Sequence, residues 1–165
     1  MMSETYVECL VKKKASSMLA FLRILSVMLS VAFILIGFLI WPAFIIGVIL
    51  AVVSYFVFLN ADLEYEYLYL DREVSIDKVM AKTKRKKVDK FDLERMEIFA
   101  PLKSYHLDDY RKRNVKTKDY SSGVEQQPEK RYVMYYEGNV CVILEPSPEM
   151  VKAMKNVAPR KVFTD

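Results

Sequence analysis

The 38 residues from Ile24 to Ala61 contain no Asp, Glu, Lys, Arg or His. A run of that length and character suits lipid better than the core of a small soluble domain. As one helix it would be about 57 Å long, nearly twice the roughly 30 Å hydrocarbon core of a bilayer. It must therefore break. Trp41-Pro42 supplies the break, because proline cannot continue a helix but suits the first turn of a new one. The expectation is a two-helix transmembrane hairpin over residues 19–61, with helices at about Leu19–Ile40 and Pro42–Leu59 joined by a very tight turn. Arg23 lies one turn inside the apolar region and can extend to the headgroups. The membrane interior holds no ionisable group, which argues against a proton relay, an ion path, a transporter or a channel.

Residues 1–18 read as an N-terminal cytoplasmic leader. Tyr6, Val7, Leu10 and Val11 have helix-like spacing, so a short interfacial helix is the alternative to a partly ordered leader. Lys12, Lys13 and Lys14 precede the first helix and a basic cluster follows the second, which puts both termini in the cytoplasm. A cleaved signal peptide is disfavoured: the apolar run is too long and lacks a small-x-small cleavage site. Ala43, Gly47 and Ala51 form an i, i+4, i+8 stripe of small residues for helix packing, and the first helix offers Ser26, Ser30 and Gly37. The stripe serves either the two helices of the hairpin or two copies of the chain.

The 104 residues from Asp62 to Asp165 change to strand-like patterning and can hold a modest core. Leu63–Leu70 alternates and is Tyr-rich, Asp71-Arg72 is a turn, and Val74–Met80 is a second strand. Phe91, Leu93, Met96 and Ile98 suit a third strand with a bulge, or a strand running into a short turn, and Pro101 ends that element. Residues 103–130 read as a long solvated connection, with a short helix near Asp108–Arg113 or an edge strand as the structured alternatives. Tyr132–Glu137 and Val140–Glu145 form a hairpin, with Gly138-Asn139 as a type II′ turn. Ser147-Pro148-Glu149 starts a helix over 148–156, with Met150, Val151, Met154 and Val157 as its apolar stripe.

The layout of a Tyr-rich strand leaving a membrane hairpin, a returning strand and a closing C-terminal helix resembles the membrane-anchored bacterial pleckstrin-homology-like (PH-like) proteins. Four stretches resemble a small two-helix bacterial membrane family of unknown function: Tyr6-Val7-Glu8-Cys9-Leu10-Val11-Lys12-Lys13, Tyr120-Ser121-Ser122-Gly123, Glu145-Pro146 and Pro159-Arg160-Lys161-Val162-Phe163. The resemblance implies a cytoplasmic α+β domain over 62–165: a small antiparallel, partly open β-barrel closed by the last helix. It implies integration in the bacterial cell membrane and carries over no catalytic residue.

Candidate chemistry is sparse. Glu64 and Glu66 alternate with Tyr and can share a face, but no His, pocketed Lys or Gly-rich loop accompanies them, so a solvated strand face is expected. His106 with Asp108 and Asp109 reads as surface rather than a metal site. Cys9 and Cys141 are far apart in sequence, so no disulfide is expected. There is no nucleophile elbow, P-loop or dinucleotide fingerprint. No catalytic residue, metal ligand or cofactor is assigned. Lys82, Lys84, Arg85, Lys86 and Lys87 are the strongest charge cluster. An outgoing strand and a returning one bring them back toward the membrane, where anionic headgroups attract such residues; a solvated hairpin tip is the plain alternative. In the last 104 residues 21 Lys/Arg stand against 19 Asp/Glu, and no aromatic platform interleaves the lysines, which argues against nucleic acid. The functional expectation is a non-enzymatic anchored domain that docks on membrane lipid or another membrane protein. The alternatives are a structural subunit self-associating through the hairpin, and an enzyme acting on a membrane substrate.

Overall fold

A computed structural model describes residues 6–15, 17–124 and 126–164. The chain divides into two compact units. One, the helical unit, comprises residues 14–64 and 79–84; the other, the β unit, comprises the residues up to Lys13 with 65–78 and 85–165.

In the helical unit, α1 (Ser17–Gly37) and α2 (Trp41–Ala61) have 21 residues each. That is about 31 Å at 1.5 Å per residue, enough to cross a hydrocarbon core. Both helices are long and apolar enough to span a membrane. α1 ends at Gly37 rather than Ile40, and Phe38–Ile40 make the reversal. Gly37 explains the early stop: a Cβ there would lie 2.5 Å from Phe44 Cα. The two backbones therefore meet where the chain turns.

The less exposed residues of α2 include Ala43, Gly47, Leu50, Ser54, Val57 and Ala61, in alternating steps of four and three, with Leu59 buried beside them. That 3.5-residue rhythm keeps a seam on one face. Ala51 is exposed. Two successive steps of four carry a residue about 80° round the helix from where it started, so a strict i, i+4, i+8 stripe leaves the contact. Ser26 Oγ lies 3.2 Å from Ser54 Oγ, and Ser30 Oγ donates to Gly47 O at 3.3 Å.

Among the described residues eight strands form two sheets. The first has the order β1-β2-β3-β4, from Val7–Lys12, Leu63–Leu70, Glu73–Met80 and Lys84–Asp92. The second has the order β5-β7-β8-β6, from Met96–Pro101, Tyr132–Tyr136, Val140–Leu144 and Lys116–Asp119 respectively. The expected antiparallel, partly open barrel is not formed. Each sheet is open, with β1 and β4 ending one and β5 and β6 ending the other, and no ladder joins them. Closure needs the register to continue from the last strand to the first. Nor is the pairing wholly antiparallel: β6 runs parallel to β8, Lys116 opposite Val140 and Asp119 opposite Ile143.

The leader expectation changes as well. Residues 7–12 form β1, a strand rather than an interfacial helix. Residues 103–130 are not a solvated connection. They contain a 3-10 turn at Tyr105–Leu107, the helix α3 (Asp108–Arg111), β6 and a second 3-10 turn at Pro128–Lys130. Leu107, Tyr110 and Val115 from this stretch pack with Ile98, Val133, Tyr135 and Cys141 on one face of the second sheet. The alternate residues Phe99, Met134, Val142 and Leu144 are buried too, so β7 and β8 read as continuous apolar runs. A few scattered apolar residues suffice to cover a small sheet face, which is why no period revealed them.

The β7–β8 turn has positive φ at Glu137 and Gly138, the type I′ pattern one residue earlier than the expected type II′ turn. Asp71-Arg72 and Ala81-Lys82 show the same pair of positive φ values, without glycine. α4 (Pro148–Val157) is capped by Ser147 Oγ, which accepts from Met150 N at 3.2 Å. It buries Met150, Val151, Ala153 and Met154, while Val157 remains exposed.

Candidate docking surface

Ala81 and Lys82 turn the chain between β3 and β4, and Thr83 N donates to Met80 O at 3.1 Å to close the turn. Within the helical unit Ala81 N donates to Asp62 O at 2.7 Å, and Lys84 Nζ lies 5.5 Å from the centroid of the Tyr55 ring. The basic turn is therefore held beside the end of α2. Arg23 covers the Phe58 ring at 4.1 Å. Cations over aromatic rings at one end of an apolar helix pair match the composition of a membrane interface.

The five clustered cations divide between a turn and the two faces of a strand. Lys82 sits in the turn, and Lys84, Arg85, Lys86 and Lys87 open β4. Alternation along a strand sends Arg85 and Lys87 to one face, Lys84 and Lys86 to the other. Arg85 and Lys87 line a cavity of about 470 Å³ on the first sheet. Arg85 Nη2 is 2.5 Å from Glu66 Oε2, a close ion contact rather than an aligned hydrogen bond. Lys82, Lys84, Lys86 and Lys87 make no ion pair among the described residues. β4 is an end strand, and lysines on such a strand also prevent edge-to-edge pairing.

The solvated face expected for Glu64 and Glu66 is overturned: their exposures are 7% and 3%. Glu66 shares a hydrogen bond with Glu8 of β1, which also accepts from Tyr6 Oη at 3.0 Å. Burial, then the bond to Glu8, pushes the Glu66 carboxyl above its ordinary range. The bonds from Glu66 and Tyr6 hold Glu8 below it. Lys90 pairs with Glu73 at 2.5 Å on the same cavity. On that face Arg85 and Lys90 are thus engaged by Glu66 and Glu73. Its signal was present in the sequence only as Glu8, Glu66 and Arg85, which lie on three different strands.

Elsewhere the sequence candidates resolve into structure. Ala43 and Gly47 are buried, and Ala51 is not. His106 stacks on Phe163 with centroids 3.8 Å apart, and Asp108 pairs with Arg111 at 2.9 Å. No cluster of three or more His, Cys, Asp or Glu suited to a metal occurs among the described residues. Cys9 and Cys141 are free thiols, and burial raises both pKa values.

Fold and surface together define a class: a small α+β domain with open sheets, carried on a chain with a pair of long apolar helices. The chain belongs to the bacterial PH-like domain family (DUF6106), which it matches over residues 3–164. PH-like domains are typically non-catalytic, in keeping with a non-enzymatic protein. No curated protein sequence matches the chain, and no solved structure does.

Proposed function

We propose that the protein is an integral protein of the bacterial cell membrane, with both termini cytoplasmic, whose PH-like domain docks on anionic lipid headgroups through Lys82, Lys84, Arg85, Lys86 and Lys87. One observation carries this reading: the basic turn is tied to the end of α2 by the Ala81–Asp62 hydrogen bond and by Lys84 over Tyr55. If α2 spans the bilayer, its last turn lies at the headgroups, and Lys82 and Lys84 with it. Each such residue contributes about 1 kcal/mol near an anionic leaflet. Self-assembly through the small-residue stripe has less support. A Cβ on Gly47 would meet Ile34 N at 2.8 Å, so α1 of the same chain already occupies that position.

The test uses the full chain, because β1 lies ahead of the helices and belongs to the first sheet. In nanodiscs, amide exchange over residues 81–87 should be slower with anionic lipid than with zwitterionic lipid, and high salt should remove the difference. Changing Lys82, Lys84 and Lys86 together to Gln should abolish the protection. Changing the exposed Lys103, Lys112 and Arg160 to Gln should not. Equal exchange in both bilayers would sink the proposal. For topology, an impermeant thiol reagent should spare an exposed Lys112→Cys in intact cells and label it after permeabilisation; labelling of intact cells reverses the assignment.

A further inference from the structure

Within the β unit a groove of about 810 Å³ runs along β1. Four successive β1 residues, Cys9 to Lys12, line it. Side chains of a strand alternate between faces. Four lining residues in a row therefore mean that the groove follows the edge of the strand, where each residue presents backbone. β1 is the end strand of its sheet, so among the described residues no further ladder occupies that side. α4 forms the opposite wall through Val151, Lys152 and Lys155, and Val124, Pro146 and Pro148 add apolar surface. Leu10, 58% exposed, projects beside it. The volume falls within the usual range for binding sites, roughly 300–1,000 Å³. The β1 frontage of four residues is about 13 Å at 3.3 Å per residue, which fits a short extended segment.

Charge selects the occupant. Lys12, Lys130, Lys152 and Lys155 line the groove against Glu129 and Glu145. The Glu145 carboxylate is already engaged, accepting from Ser122 Oγ at 2.8 Å and pairing with Arg131 Nε at 3.4 Å. Lys130 and Lys152 make no ion pair among the described residues. Ser147 and Pro148 at the start of α4 also open onto the groove, where a helix carries its positive end.

We propose that β1 and α4 form a receiving groove for an extended acidic segment of a partner protein. The segment adds a strand to the edge of β1, seats its apolar side chains between β1 and α4, and places its carboxylates by Lys130 and Lys152. Backbone pairing supplies affinity in this mode, and the alternate side chains supply selectivity. The site is separate from the lysines at the end of α2 and does not depend on lipid docking.

The test is selection of a displayed library of random peptides, about ten residues long, on the full chain in zwitterionic nanodiscs. Enriched sequences should alternate apolar and acidic residues. Lys130→Gln with Lys152→Gln should weaken a selected peptide about tenfold, as expected for two rim charges. Both lysines are exposed, so thermal stability should stay unchanged. N-methylation of alternate peptide nitrogens should abolish binding in one register and spare it in the other, because only every second N–H faces the new ladder. Amides of residues 9–12 should exchange more slowly in the complex. Peptides without the acidic pattern, binding unaffected by the double variant, or tolerance of both methylation registers would overturn the proposal. So would a lipid or a second copy of the chain, found by native mass spectrometry and lost in a Val151→Glu variant.

Discussion

Between α1 and α2 the backbones approach closely at glycines. A Cβ on Gly37 or Gly47 would lie 2.5 Å or 2.7 Å from an atom of the facing helix. The β unit is packed in the opposite way, around large side chains such as Tyr67, Phe99, Met134 and Met150 with essentially no exposure. The difference reflects what each region gains from contact. Apolar helices suited to lipid gain little by hiding Leu or Ile from lipid tails, so close backbone approach and a few hydrogen bonds hold them together. A domain in water is stabilised mainly by the apolar area it removes from solvent, which favours bulk. Polar groups follow the same division. Ser26, Ser30 and Ser54 bond across the helix seam, while the Tyr67 hydroxyl joins distant segments by donating to Tyr120 O at 2.5 Å and accepting from Glu145 N at 3.4 Å.

The largest expected effect lies in the helix seam. Gly47→Leu should destabilise the helix pair by about 3 kcal/mol, since the added side chain meets backbone and cannot be relieved by a rotamer change. Ala51→Leu should be nearly neutral because it faces outward. Thermal stability and abundance in mild detergent compare the two. Similar losses would restore the i, i+4, i+8 stripe and remove the 3.5-residue seam.

Tyr67→Phe should cost about 2 kcal/mol, because it leaves a buried carbonyl and a half-buried N–H without the hydroxyl. Tyr69→Phe should cost far less: Tyr69 is buried, but its hydroxyl makes no hydrogen bond among the described residues. Denaturant unfolding of the full chain separates them. Equal losses would mean that ring packing, not the hydroxyl link, holds these segments.

The smallest effect is one of slope. The raised Glu66 pKa means that the folded protein binds this proton more tightly than the unfolded chain. Its contribution is therefore full below the ordinary carboxylate range and declines as pH rises through the raised folded value. The lowered Glu8 acts in the other sense, contributing above the ordinary range and losing that contribution as pH falls. Glu66→Gln removes the buried charge and the shared proton together. Relative to wild type, the variant should gain thermal stability as pH is raised from about 4 to about 7. Parallel melting curves would show that the pair is too well solvated to matter.

Much of this was legible in short stretches. The uncharged run predicted two helices, Asp71-Arg72 the β2–β3 turn, and Ser147-Pro148 the start of α4, since each depends on neighbours within a few residues. Tyr6–Val11 shows the limit. Its spacing suits a helix, yet it becomes β1 because β2, some 50 positions on, offers a ladder. Glu8, Glu66 and Arg85 form one cluster for the same reason, and their burial could not be read from alternation with Tyr. Lys116–Asp119 has no apolar residue at all; parallel pairing with β8 makes it a strand.

By itself, then, the sequence determined the apolar helix pair, several turns and the basic cluster, because propensity and hydrophobic run length act locally. Only the tertiary structure decided that two open sheets replace a barrel, that the seam leaves Ala51, and that a groove lies between β1 and α4. Those outcomes depend on which backbone edges meet, and hydrogen-bond register joins residues that no local pattern relates.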